Sequence, residues 1–119
     1  MKCVRGEGRG LIVTTNHFMD TSWERPRPGP HAYGQTEERS ANLMLLGEKY
    51  KGRIDAKKMR ELLDIGLYEG GATHSDKTIF QMVAVPAELK IWLKVPGYQD
   101  WTEVDLGKLF ARYMSIARS

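Results

Sequence analysis

The chain has 119 residues and 13.6 kDa, with 41% apolar and 28% charged side chains, which suits one domain over residues 1–119 and argues against intrinsic disorder. Folding at this length removes roughly 65% of the extended chain's surface from water, so a core is attainable without metals or crosslinks. Eighteen basic against fifteen acidic residues leave +3, scattered rather than gathered on an aromatic-laced stripe, and no apolar run nears the roughly 20 residues of a bilayer span, so neither nucleic acid nor membrane is an expected partner.

Lys2 to Arg5 and Leu11 to Thr15 are β-prone runs joined by Gly6-Glu7-Gly8-Arg9-Gly10, whose glycines supply the positive φ of a hairpin turn. They lead into a strand signal and not a helix start, which excludes a phosphate-binding loop. Asn16 to Gln35, with three prolines and two glycines, reads as one long loop, and loops beyond about 15 residues are usually functional or disordered. Pro26, Pro28 and Pro30 stand two apart and miss the spacing that proline-reading grooves require.

Thr36 is the expected N-cap of a first helix, with Glu37 and Glu38 in its opening turn and Ala41, Leu43, Met44, Leu45 and Leu46 as its apolar face, ending near Gly47 or Gly52. Asp55 caps a second helix, stapled by Ile54 and Met59, with Leu62, Leu63 and Leu67 on its stripe and Gly70-Gly71 as its stop. Thr78 to Val85 is almost continuously apolar, as a strand covered on both faces would be. Pro86-Ala87-Glu88 turns the chain into Lys90 to Val95, where Ile91, Leu93 and Val95 alternate with Lys90, Trp92 and Lys94, so one side is core and the other partly wet. Pro96-Gly97 ends that strand, and Thr102 with Asp105 resembles a capping pair before a last helix carrying Leu106, Leu109, Phe110, Tyr113, Met114 and Ala117. The order ββ-α-α-ββ-α implies an α+β fold with an antiparallel sheet, because the short connections cannot make parallel crossovers.

His17, His31 and His74 lack metal-ligand spacing, so no metal or cofactor is expected. The single cysteine, Cys3, cannot form an internal disulfide, and the opening Met-Lys-Cys-Val-Arg carries no apolar h-region; the expected compartment is the cytoplasm. Chemistry is suggested by Val13-Thr14-Thr15-Asn16-His17-Phe18, a strand ending in a polar cluster at the mouth of the long loop. An Asn there can aim its amide at a developing oxyanion, a role worth roughly 3 to 4 kcal/mol in enzymes that use it. The same pattern also fits a turn-capping Asn beside a packed or solvated His.

Several short motifs fall in one order: Thr15-Asn16-His17-Phe18 after a strand, Thr36-x-x-Arg39 opening a helix, Leu62-Leu63-Asp64 ending one, His74-Ser75-Asp76 before a strand, and Val85-Pro86-Ala87-Glu88-Leu89-Lys90-Ile91-Trp92 in a hairpin. From about Val4 to Phe110 the chain resembles the C-terminal part of the acyl-coenzyme A:6-aminopenicillanate acyltransferase-like group of N-terminal-nucleophile hydrolases, related to choloylglycine hydrolases. The resemblance implies a partial αββα sandwich and hydrolysis or acyl transfer at a linear amide C–N bond. It implies that Asn16 binds the oxyanion or orients the nucleophile, and that Arg39 lies near that nucleophile, where a guanidinium favours a thiolate by lowering its pKa. His17 and Phe18, beside Asn16, are the candidate binding residues for a small amide or acyl substrate.

The family's nucleophile is a Cys freed at a new N-terminus, where its own α-amine acts as base. It belongs to the half upstream of the Thr-Asn motif, which this chain lacks. Cys3 follows Met1-Lys2 within an expected strand, and a packed thiol is its better reading. The sequence therefore suggests a C-terminal portion completed by a Cys-bearing chain, against the alternative of a non-catalytic binding or oligomerisation module. Either way a sheet face or edge is left uncovered, so a homo-oligomer or a complementary chain is expected.

Overall fold

Local hydrogen-bonding chemistry decides where two of the helices begin. The computed structural model describes residues 10–15 and 35–118. Within them lie α1 (Thr36–Tyr50), α2 (Ala56–Asp64), β1 (Gln81–Val85), β2 (Lys90–Val95), β3 (Gln99–Asp105) and α3 (Leu106–Ala117), the strands forming an antiparallel sheet in the order β1-β2-β3. The fold is α+β: among the described residues, three helices and a three-stranded antiparallel sheet. The Asp55 carboxylate accepts from the Lys58 N–H (2.7 Å) and the Asp105 carboxylate from the Lys108 N–H (2.9 Å), each satisfying a donor that the first turn of its helix leaves orphaned.

The order differs from ββ-α-α-ββ-α at both ends. Lys2 to Arg5 lies outside the described residues, and Leu11 to Thr15 joins no ladder among them. Instead this segment lies against α1, with Leu11, Val13 and Thr15 more buried than Ile12 and Thr14. At the other end the chain returns after Pro96-Gly97 as a third strand. The Tyr98 N–H donates to the Val95 carbonyl at 2.9 Å with Gly97 at φ 82°, the arrangement that Pro then Gly favours in a tight turn. Thr102 therefore pairs with Leu93 in the ladder and caps nothing; Asp105 alone starts α3.

Two expectations for the first two helices need correction. Gln35, with a left-handed backbone (φ 58°) and no side-chain cap, precedes α1, and Thr36 is the first helical residue, wholly buried. The face α1 buries is Thr36, Ser40 and Gly47, with half-buried Leu43 between them, whereas Ala41, Met44 and Leu45 are exposed. Close approach is the reason: a Cβ on Gly47 would sit 2.5 Å from a Leu11 methyl, so small side chains are what admit the 10–15 segment. α2 ends at Asp64 rather than at Gly70-Gly71, because Ile65 turns extended and Leu67 starts a short 3-10 turn closed by left-handed Gly70 (φ 91°). Leu67 is nonetheless buried. The Gly71 N–H donates to the Gly66 carbonyl (2.8 Å), the Leu67 N–H to the Thr73 carbonyl (2.8 Å), and the Asn42 amide of α1 to the Gly71 carbonyl (2.8 Å).

The sheet register places Gln81, Val83 and Val85 beside Lys94, Trp92 and Lys90 on one face, and Met82 and Ala84 beside Leu93 and Ile91 on the other. α2 is bonded to the first of these, the face carrying the lysines, and not to the Ile91/Leu93 face. The Gln81 amide donates to the Leu63 carbonyl (2.7 Å), the Arg60 guanidinium lies 3.6 Å from the centre of the Trp92 ring, and Lys94 Nζ sits 2.7 Å from Asp64 Oδ1. The long polar side chains are neutralised by partners on the helix, so their stems and rings pack. The strand expected from Thr78 begins only at Gln81, and it is not covered on both faces: Ile79 is 81%, Phe80 63% and Met82 51% exposed.

Leu62, Leu67 and Val83 are the buried apolar side chains among the described residues, and α3 contains no buried residue. No helix among them is long and apolar enough to cross a membrane.

Candidate functional site

The hydroxyl of Thr15 donates to the carbonyl of Thr36 at 2.9 Å across 21 positions of sequence. This bond ties the end of the 10–15 segment to the first turn of α1. Arg39 lies on the same turn, half-buried, its backbone N–H donating to the Gln35 carbonyl at 3.0 Å. The residue that precedes Asn16 and the backbone of Arg39 therefore belong to one neighbourhood, the first turn of a fifteen-residue helix. Asn16, His17 and Phe18, and also Cys3, lie outside the described residues.

An apolar hollow of about 270 Å³ lies along the 10–15 segment and the later turns of α1, where Leu11, Val13 and Thr14 face Leu43, Gly47 and Leu62. Its walls are aliphatic, and it is of a size to take a short acyl chain. A second, more open groove of about 820 Å³ runs between the first turn of α2 and β1, bordered by Asp55, Met59 and Met82 to Val85. Sequence reasoning did not find this groove, since it arises from the pairing order that leaves β1 outermost.

The remaining motif residues have structural partners. The Asp76 N–H donates to His74 Nδ1 (3.2 Å) and the His74 N–H to the Thr78 hydroxyl (2.9 Å), so His74-Ser75-Asp76 forms a closed turn ahead of β1. Asp64 accepts from Lys94 Nζ at 2.7 Å and from Trp101 Nε1 at 3.0 Å, joining the end of α2 to β2 and β3. Aspartate after two leucines was visible in the sequence; its partners 30 and 37 positions away were not. Among the described residues no group of three or more His, Cys, Asp or Glu side chains is placed to hold a metal ion.

Comparison of the chain with protein-family models, with curated proteins and with solved structures gives no match.

Proposed function

We propose that the chain is the C-terminal portion of a linear-amide C–N hydrolase or acyltransferase of the N-terminal-nucleophile kind, working on a small amide or acyl substrate in the cytoplasm, where a free thiol persists. In this reading Asn16 binds the oxyanion, Arg39 favours the thiolate, His17 and Phe18 contact substrate, and a Cys-bearing partner chain brings the nucleophile. The attacking sulfur would add to the amide carbon, the amine would leave with a proton, and water or an acceptor amine would release the acyl group. The observation that carries the reading is the Thr15 to Thr36 hydrogen bond, which seats the residue preceding Asn16 on the turn that bears Arg39. The apolar hollow along the 10–15 segment suits an acyl chain. The two-sheet sandwich belongs to the same proposal, with the face of Met82, Ala84, Ile91 and Leu93 turned toward a sheet from the partner.

The test is reconstitution with an N-terminal half bearing a terminal Cys, assayed on simple N-acyl amides. Asn16→Ala is expected to lower kcat by about 10²-fold or more, and Arg39→Ala to shift the acid limb of the pH profile upward by raising the thiol pKa. Turnover unchanged in both variants removes the assignment. Cys3→Ala is expected to leave turnover intact. A second reading, a non-catalytic oligomerisation module, is favoured by the edge of β1 that no described strand takes up, and its signature is assembly without turnover.

A further inference from the structure

The groove beside α2 is bordered by Met82, Val83, Ala84 and Val85 in succession. Successive residues of a strand point to opposite faces, so a hollow that touches all four runs along the edge of β1 and not over one face. Among the described residues β1 pairs only with β2, so no strand from residues 10–15 or 35–118 takes up the backbone donors and acceptors of its other edge.

The two edges of the sheet are defended very differently. β3 carries Asp100, Glu103 and Asp105, which repel a second copy of themselves. From Thr78 to Ala87 there is no charged residue, and Ile79, Phe80 and Met82 within that run are exposed. The run is bounded by exposed Lys77 on one side and exposed Glu88 on the other. Antiparallel pairing of two such runs brings the lysine end of each against the glutamate end of its partner, at both ends of the contact. Parallel pairing would oppose like charges.

From this geometry we infer that β1 is the seam of a two-fold dimer, that other edge pairing antiparallel with β1 of a second copy of this chain. With Val83 opposite Val83 of the partner subunit, each Met82 meets an Ala84 and each Gln81 a Val85, so apolar or uncharged side chains oppose one another throughout. The result is a continuous six-stranded sheet with the acidic β3 strands at both margins. Each edge is used once, so assembly closes at two copies. The seam is independent of the amide chemistry above, and its test needs no substrate.

Sedimentation equilibrium of the wild-type chain across the micromolar range is expected to give a monomer–dimer equilibrium, with slowed amide exchange over Gln81–Val85 as the dimer fills. Lys77→Glu opposes Glu to Glu88 of the partner subunit at both ends and should weaken the dimer by about tenfold. The charge-swapped pair Lys77→Glu with Glu88→Lys should restore it. Both positions are exposed and lie outside the strands and long helices, so far-UV circular dichroism should not change. A wild type that stays monomeric, assemblies larger than two copies, or a dimer indifferent to Lys77→Glu would each overturn the inference. A monomer that binds only a different chain along this edge overturns it as well.

Discussion

Two adjacent glycines, Gly70 and Gly71, are required for different reasons, and substituting each separates them. At Gly71 a Cβ would lie 1.9 Å from the Ile65 carbonyl oxygen and 2.5 Å from its carbon, contacts with backbone that no side-chain rotation relieves. The loop must open, which loosens the Gly71 to Gly66 and Asn42 to Gly71 hydrogen bonds. Overpacking typically costs about 1–3 kcal/mol and each of the two weakened bonds about 0.5–1.5 kcal/mol, a span of about 2–6 kcal/mol, and Gly71→Ala should fall near its middle, at about 3–4 kcal/mol. At Gly70 a Cβ meets nothing within 4 Å, and the cost is only that of a left-handed backbone at φ 91°, about 1–2 kcal/mol for alanine and less for asparagine. Urea unfolding at one fixed protein concentration reads the difference. Gly71→Ala should lower the midpoint by roughly 2 M and Gly70→Asn by well under 1 M, given a slope of about 1.5 kcal/mol per molar for a domain of this size. Equal shifts, or a smaller one for Gly71→Ala, would refute the close-approach argument.

Asp64→Ala removes the acceptor shared by Lys94 and Trp101; at a site this exposed the expected loss is about 1–2 kcal/mol, with altered Trp101 emission as the local readout. Arg60→Lys should cost about 0.5–2 kcal/mol, because an ammonium is more strongly hydrated and lacks the planar face of the guanidinium that lies 3.6 Å from the centre of the Trp92 ring; melting curves and Trp92 quenching check it. The hydrogen bond from Lys90 to Glu103 holds the lysine pKa above its ordinary 10.5, so this pair's stabilisation is complete below 10.5 and lost as pH rises through the raised value. The Lys58 hydrogen bond to Glu61 holds the carboxyl below its ordinary 4.5, and its share is present above 4.5 and lost as pH falls through the lowered value. Tm should therefore be level between these limits so far as the two pairs decide it, and Glu103→Gln should reduce the alkaline fall.

What could be read from the sequence was short-range chemistry. Asp55 before Ala56 offers a cap whatever surrounds it, and Pro86 and the alternation from Lys90 to Val95 act through neighbours a few residues away. Three features resisted because they depend on distant partners. α1 buries Thr36, Ser40 and Gly47, since the 10–15 segment approaches closely enough to need small side chains, and hydropathy is blind to that. The sheet face bonded to α2 carries Trp92 and Lys94, which look solvent-facing until Arg60 and Asp64 are seen opposite them. In sequence β3 reads as a helix start because both Thr102 and Asp105 are able to cap, and only the ladder with β2 decides between them. Of the candidate site, Arg39 falls on the expected helix and Thr15 beside its first turn, while Asn16, His17 and Phe18 are outside the described residues.

The Asp64 carboxylate has a further consequence for the order in which the molecule assembles. The β2–β3 hairpin closes over a tight turn, and α2 winds from its own cap, so both need only local contacts and form early. A carboxylate whose partners stand 30 and 37 residues along the chain must wait for the larger loop to close. Where such contacts close only after the folding barrier they act as a latch, slowing escape from the finished structure while leaving the rate of reaching it nearly untouched, so Asp64→Ala is expected to speed unfolding more than it slows folding.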